Sequence, residues 1–322
     1  MVVWENKVPP VVNVLARRYD KLGNDLDPAQ RKVNTAVYEN KKPDVSASLD
    51  GSFVVVWENK NPDKVANPNK DSKILAQQFD PSGVAVNGEL TISASGPGEN
   101  KKPHIGTAKS PPATVSFVIV WENKTTGNVF TRRYDASGNP LGAPDPVGTL
   151  DLLNLLSKGP DIAVGADGRY AIAWEDDDAR DVLVRLYDAA GNPVTGVQHV
   201  NTSSGQHKKP QVSMAADGSF VVVWEAKTAT DVYARRYNAS GNAISGEIVV
   251  NTTTLLEQKK PIITMAPDGA FVVVWEDKNT KEISGQRFDV SGNPKCPEFS
   301  VNKNSSCGVR VLNWTEVPNR AP

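Results

Sequence analysis

Residues 50–60 read DGSFVVVWENK, and the chain keeps returning to them. The segment recurs as ADGRYAIAWEDD at 166–177, ADGSFVVVWEAK at 216–227 and PDGAFVVVWEDK at 267–278. It recurs less perfectly as VSFVIVWENK at 115–124 and, truncated, as MVVWENK at the start. Self-similarity at a period near 50 residues fixes the architecture before any single residue does. A residue type present in every copy holds the unit together before it does chemistry.

The repeat tryptophans are Trp4, Trp57, Trp121, Trp174, Trp224 and Trp275, spaced 53, 64, 53, 50 and 51 residues apart. Downstream of each lies a second motif: ARRYD ending at Asp20, AQQFD at Asp80, TRRYD at Asp135, VRLYD at Asp188, ARRYN at Asn238 and GQRFD at Asp289. A turn such as ASGN follows, then an apolar stretch ending in VNT or similar, then KKP or KGP at Lys41, Lys101, Lys158, Lys208 and Lys259.

Each unit predicts four short strands. The stretch after the proline alternates apolar and small polar residues. Phe53–Trp57 is a continuous apolar, β-branched run, which suits a strand covered on both faces. The RRYD segment alternates again, and the VNT segment supplies the fourth strand. Asp-Gly joins the first two strands as a hairpin, and the glycine of the Ser-Gly-Asn turn takes positive φ. No long helical periodicity occurs; Leu150–Leu156 reads as one helical turn or a loop plug.

These units predict an all-β, six-bladed β-propeller of four-stranded antiparallel blades, one domain over residues 1–322. The chain starts inside a second strand, and Val309–Asn313 near the C-terminus supplies the missing first strand. The two ends then share one blade and leave no sheet edge. A seven-bladed ring is the alternative. Cys296 and Cys307, the only cysteines, flank the last outer strand, and a disulfide there would clamp the closure in an oxidising compartment.

Composition excludes several classes. A net charge of −1 gives no basic bias for nucleic acid, and no run of 18 apolar residues would span a membrane. No signal peptide opens the chain, but the start falls mid-repeat, so that says little about compartment. Abundant Asn, Thr, Ser and Gly suit an extracellular or cell-surface protein, with the periplasm also open. HExxH, GxSxG, P-loop and GxGxxG patterns are absent. His104, His199 and His207 fall in different registers, so no transition-metal site is expected. Asp176, Asp177 and Asp178 form the one acidic cluster, a weak candidate for calcium; no cofactor is otherwise expected.

The two faces of the disc differ. The Asp-Gly and Ser-Gly-Asn turns share one face and vary little in length. The loops after Trp-Glu and before Lys-Lys-Pro share the other, and carry nearly all the length variation. Binding concentrates on such loops, so the candidate binding residues are Glu58, Asn59, Lys60, Lys101, Lys102, Glu122, Lys124, Lys208, Lys209, Lys259 and Lys260. Tyr38 joins them as a stacking platform. The opposing interpretation is that these glutamates and lysines pair between blades, each exposed pair contributing about 0–1 kcal/mol. The RRYD arginines Arg17, Arg132, Arg185 and Arg235 alternate with Gln77 and Gln286, which points to packing and hydrogen bonding.

The unit P-x-V-x-x-x-x-DG-x-FVVVWE…YARRYDASGN…VNT resembles a repeat of large secreted or surface proteins of bacteria, adhesin-like or of the RTX type. The resemblance implies an extracellular location and a binding or structural role, within a larger surface assembly. The chain lacks the glycine–aspartate nonapeptides of RTX tracts, so calcium dependence does not carry over.

The leading expectation is therefore a non-enzymatic module that engages a protein, a filament or a surface polysaccharide through its long-loop face. A propeller lectin, binding carbohydrate between blades, is the second. A glycan hydrolase or lyase is the third, and it alone predicts carboxylates near the axis that break the symmetry of the repeat.

Overall fold

The structure is a computed structural model and describes residues 1–8, 11–20, 22–61, 63, 71–93, 98–108, 116–148, 157–253 and 257–301. Every regular element among them is a strand; no helix occurs. A seven-stranded sheet is followed along the chain by four four-stranded antiparallel sheets, and the last four strands of the seven repeat the same four-stranded unit, giving five such units. Their first strands are Glu39–Ala47, Asn100–Thr107, Ser157–Val164, His207–Met214 and Gln258–Met265. Three N-terminal strands, Val2–Val8, Val11–Arg17 and Arg31–Lys32, form a further antiparallel unit, joined to the first full sheet by a single parallel bridge from Val12 to Glu39. The first strands of consecutive sheets lie side by side, so the sheets stand as blades around a common inner side.

The repeat motifs explain each sheet. The second strands, such as Phe53–Lys60 and Phe220–Ala226, are buried almost end to end, as an apolar run without alternation requires. Trp57, Trp121, Trp174, Trp224 and Trp275 are sealed between neighbouring sheets. Trp57 Nε1 donates to Asn40 Oδ1 at 2.9 Å and Trp121 Nε1 to Asn100 Oδ1 at 3.1 Å. The aromatic that opens the second strand stacks on the one that ends the third; Phe53–Phe79 and Phe220–Tyr237 both have centroids 4.7 Å apart.

The fourth strands are only two residues long. The Val-Asn motif completes them by side chain: Asn201 Oδ1 accepts the Val182 N–H and Asn251 Oδ1 the Val232 N–H, each at 2.8 Å. The first RRYD arginine works in the same way. Arg132, Arg185 and Arg235 each donate to a carbonyl of the preceding sheet, at Ile92, Val147 and Val200. Arg132 and Arg185 also lie over Tyr134 and Tyr187. Gln77 and Gln286 keep a main-chain hydrogen bond in that register.

The strand expected at Val309–Asn313 lies outside the described residues, as do Cys307 and therefore the proposed pairing with Cys296, and the segment Leu150–Leu156. No free cysteine occurs among the described residues.

Candidate active site

In every full sheet the Lys-Lys-Pro (or Lys-Gly-Pro) segment is a bulge. Pairing between the first and second strands skips two residues, between Lys41 and Asp44 in the first sheet and between Lys158 and Asp161 in the third. The second residue of the motif has positive φ: Lys42 48°, Lys102 47°, Lys209 50°, Lys260 52° and, in the third sheet, Gly159 55°. A non-glycine residue in this region costs about 1–2 kcal/mol, so the conformation must be held from outside.

The glutamate after each tryptophan holds it. Glu5, Glu122, Glu175 and Glu225 accept the N–H of Lys42, Gly159, Lys209 and Lys260 in the next sheet, at 2.8, 3.0, 2.9 and 3.1 Å. Glu58 does the same for Lys102. Within their own sheets, Lys102 Nζ lies 3.0 Å from Glu122, Lys209 3.2 Å from Glu225 and Lys260 2.8 Å from Glu276. The expectation of exposed ion pairs between blades is thus corrected. The lysine charge pairs mostly inside a sheet, the main-chain N–H crosses the boundary, and Glu58, Glu122, Glu175 and Glu225 are buried. Burial raises Glu58 and Glu175 above the ordinary carboxylate range. Glu225 meets the same burial cost, but Lys227, the Lys260 N–H and Lys209 outweigh it and its pKa is lowered.

The bulge aims the next residue inward. That residue is Asp44, His104, Asp161, Gln211 and Ile262 in the five sheets, each opposite the same position of its second strand. Three of them converge. His104 Nδ1 lies 3.5 Å from Asp44 Oδ2 and 3.4 Å from Asp161 Oδ1. Asp44 Oδ2 also accepts the Ile105 N–H at 3.0 Å, and Asp161 Oδ2 the Val212 N–H at 2.7 Å. Each aspartate therefore ties its strand to the next and presents an oxygen to the histidine. Gly106, two residues past His104, lets the strands close up: a Cβ there would sit 2.5 Å from Val164 Cγ2.

The electrostatics are asymmetric. Burial pushes the Asp161 carboxyl up to about 6, against the pull of His104 and the Val212 N–H, with Asp44 adding to the rise. Burial lowers His104, but the Asp44 hydrogen bond and the Asp161 charge outweigh it and raise the imidazole. About a third of the His104 and Asp44 side chains stays open to solvent, against 12% for Asp161. The cluster thus combines a reachable carboxylate, a reachable imidazole and an enclosed, readily protonated acid.

The residues expected to bind are dispersed along the rim. Glu58 and Glu122 are buried; Asn59 is buried and donates to Asn40 Oδ1. Lys60 and Lys101 face Glu99 at 3.8 and 2.5 Å, Lys102 faces Glu122, and Lys259 and Lys260 face Glu276. Lys209 faces Glu225. Lys208 is half-buried and Lys124 exposed. Tyr38 is exposed, and its ring stacks on none of the described aromatics. The acidic triplet does not converge either. Asp176 is buried and caps its own turn through the Asp178 and Ala179 N–H groups, and Asp177 pairs with Lys158. Among the described residues, no three His, Cys, Asp or Glu side chains are arranged to hold a metal ion.

The Asp44–His104–Asp161 cluster was missed from sequence. Its signal is the residue after each rim proline, a register position that differs in kind from copy to copy.

Neither a family model nor a curated protein matches the sequence. Solved structures do share the fold. A Penicillium chrysogenum alpha-L-arabinanase complexed with arabinobiose superposes with a TM-score of 0.56 at 11% identity, over 89% of both chains. A protein of unknown function from Dyadobacter fermentans gives 0.55 at 11% identity, over 81% of this chain and 82% of that one. A Hadza microbial sialidase gives 0.52 at 12% identity, over 91% of this chain and 65% of its own. At such identities the likeness establishes the propeller-like fold. The expectation of a module without enzymatic activity is corrected to this extent: the fold is shared with an arabinanase and a sialidase and gives no ground for excluding an enzyme, and the inner cluster supplies carboxylates that break the symmetry of the repeat.

Proposed function

We propose that the chain is a carbohydrate-active enzyme that cleaves a glycosidic bond at the Asp44–His104–Asp161 cluster. Asp161 carries the reading. It is an enclosed carboxyl with a pKa of about 6, at a position that elsewhere in the repeat accepts Gln211 or Ile262. The repeat itself therefore has no need of an acid there.

Glycoside hydrolysis uses two carboxyl groups flanking the bond, one of them protonated at working pH. His104 Nδ1 touches both aspartates, so their facing oxygens lie within about 7 Å of each other, a span compatible with that chemistry. Asp161 is the proton donor to the leaving oxygen. Asp44, the more open of the two, takes the proton of the water that attacks the anomeric carbon and replaces the leaving group. His104 orients both and balances their charge. The arabinanase and the sialidase support carbohydrate as the substrate class. The repeat's resemblance to secreted and surface proteins of bacteria supports an extracellular setting. A six-bladed ring completed by both chain ends would put the cluster at the centre of one face.

The test is release of reducing sugar from a panel of aryl glycosides and polysaccharides. Wild type should turn over at least one substrate, and Asp161→Asn and Asp44→Asn should not. Unchanged turnover in both variants, or glycan binding without turnover across the panel, would refute the reading.

A further inference from the structure

On the short-turn face side chains clasp each sheet to the next. The residue before the aromatic of the third strand reaches a carbonyl in the next sheet's turn. Arg18 Nη1 donates to Pro81 O at 2.6 Å, Arg133 Nη1 to Ala189 O at 3.2 Å and Arg236 Nη1 to Ser291 O at 2.6 Å. In the third sheet Leu186 stands at this position, and Arg169 from the Asp-Gly turn takes over, donating to Ala239 O at 2.7 Å.

Between the first and second full sheets Gln78 holds this position; its Nε2 reaches Ala136 O at 3.2 Å, and Asn87 beside it donates to Ser137 O at 2.9 Å. Gln78 is shorter than arginine and uncharged, and it borders a cleft of about 620 Å³. The matching cleft between the fourth and fifth sheets is bordered by Arg236 and measures about 210 Å³. Leu49, Pro81 and Val86 give the larger cleft its hydrocarbon walls, and Asp50 and Asp80 line it too.

A second departure from the repeat falls in the same place. In other turns an asparagine amide caps the second oxygen of the aspartate: Asn139 on Asp135 at 3.0 Å, Asn192 on Asp188 at 2.9 Å. The first sheet has Val84 there, which has no amide to give Asp80 Oδ2. Hydrogen bonds from the serine side chains of Ser52 and Ser82 hold Asp50 and Asp80 below the usual carboxylate range. The cleft thus has two ionised carboxylates, apolar walls, and no lysine or arginine in its lining. Its size falls within the range of small-molecule sites.

We propose that this cleft binds an organic cation, an alkyl chain ending in an ammonium or guanidinium group, in place of the arginine that this copy of the repeat lacks. The head pairs with Asp50 and Asp80, and the stem packs on Leu49, Pro81 and Val86. The site lies on the face opposite the inner cluster and does not depend on the catalytic reading.

The experiment titrates full-length protein with spermidine, Nα-acetyl-lysine methylamide and Nα-acetyl-arginine methylamide, with 1,6-hexanediol as the neutral control, followed by amide NMR shifts. At least one cationic probe should saturate, with shifts confined to the turns carrying Asp50 and Asp80. Gln78→Arg, which supplies the residue type of Arg18, Arg133 and Arg236, should weaken that binding about tenfold or more while the remaining spectrum stays native. Asp80→Asn should weaken it as well. Tighter binding of spermidine would assign a free polyamine as ligand; tighter binding of an amino-acid probe would assign a side chain of a partner protein. No saturation with any cation, equal binding of hexanediol, or unchanged affinity in Gln78→Arg would overturn the proposal.

Discussion

Lys260 donates its main-chain N–H to Glu225 Oε2 at 3.1 Å, across the boundary between two sheets, while Lys209 Nζ from Glu225's own sheet lies 3.2 Å from the same oxygen. Glu225 is 1% exposed, so its loss strands a buried N–H and a cation together. Glu225→Ala should cost about 3 kcal/mol. Glu225→Gln, which keeps a carbonyl acceptor, should cost about half of that. Lys209→Ala removes only the more exposed partner and should cost under about 1 kcal/mol. Urea unfolding of the three variants checks the order.

The left-handed lysines give a second prediction. Gly159 shows that glycine fits this bulge. Lys260→Gly should therefore stay within about 1 kcal/mol of wild type, relief of strain offsetting the lost ion pair. Lys260→Val puts a β-branched residue at a φ of 52° and should cost about 2 kcal/mol or more. Thermal unfolding in matched buffer separates them.

The acid at the inner cluster predicts a pH profile. Asp161 works as proton donor only while protonated, so kcat/KM should fall as pH rises through about 6. Asp161→Asn should remove both the activity and that limb. Stability should move the same way. Asp161 and His104 both have folded-state pKa values above their ordinary ones. Each contributes stability that is present below its unfolded pKa and lost as pH rises through its folded one. The melting temperature of wild type relative to Asp161→Asn should therefore decline from about pH 4 through about 6, and relative to His104→Asn at pH above about 6.5. Glu58 and Glu175 are also raised and leave a residual slope in both variants.

Gly106 links fold and site. Gly106→Ala would press a methyl onto Val164 and force neighbouring inner strands apart. The cost should be about 1–3 kcal/mol, and the shift should separate His104 from Asp161. Turnover should drop more than folded fraction does, which circular dichroism and activity on one sample will show.

Much of this molecule was legible in the repeat. The buried tryptophans, the hairpin turns and the structural use of the RRYD arginines follow from residues that recur along the chain. The inner cluster did not, because a reader aligning copies attends to what recurs, and Asp44, His104 and Asp161 sit where the copies disagree. The glutamates after tryptophan misled in the other direction. A charge beside Lys and Asn looks like surface, but the bulge folds the next sheet's main chain over Glu58, Glu122 and Glu225 and takes them out of water. The value of a lysine at positive φ was equally hidden, since the cause is an acceptor some 35 residues away in the preceding sheet, at Glu225 for Lys260.

The glutamate contacts all run in one sense, from each sheet to the one after it. Under tension applied between the two chain ends, such head-to-tail links are loaded in series. A pulled molecule should therefore give way one sheet at a time, as a sawtooth of similar small ruptures.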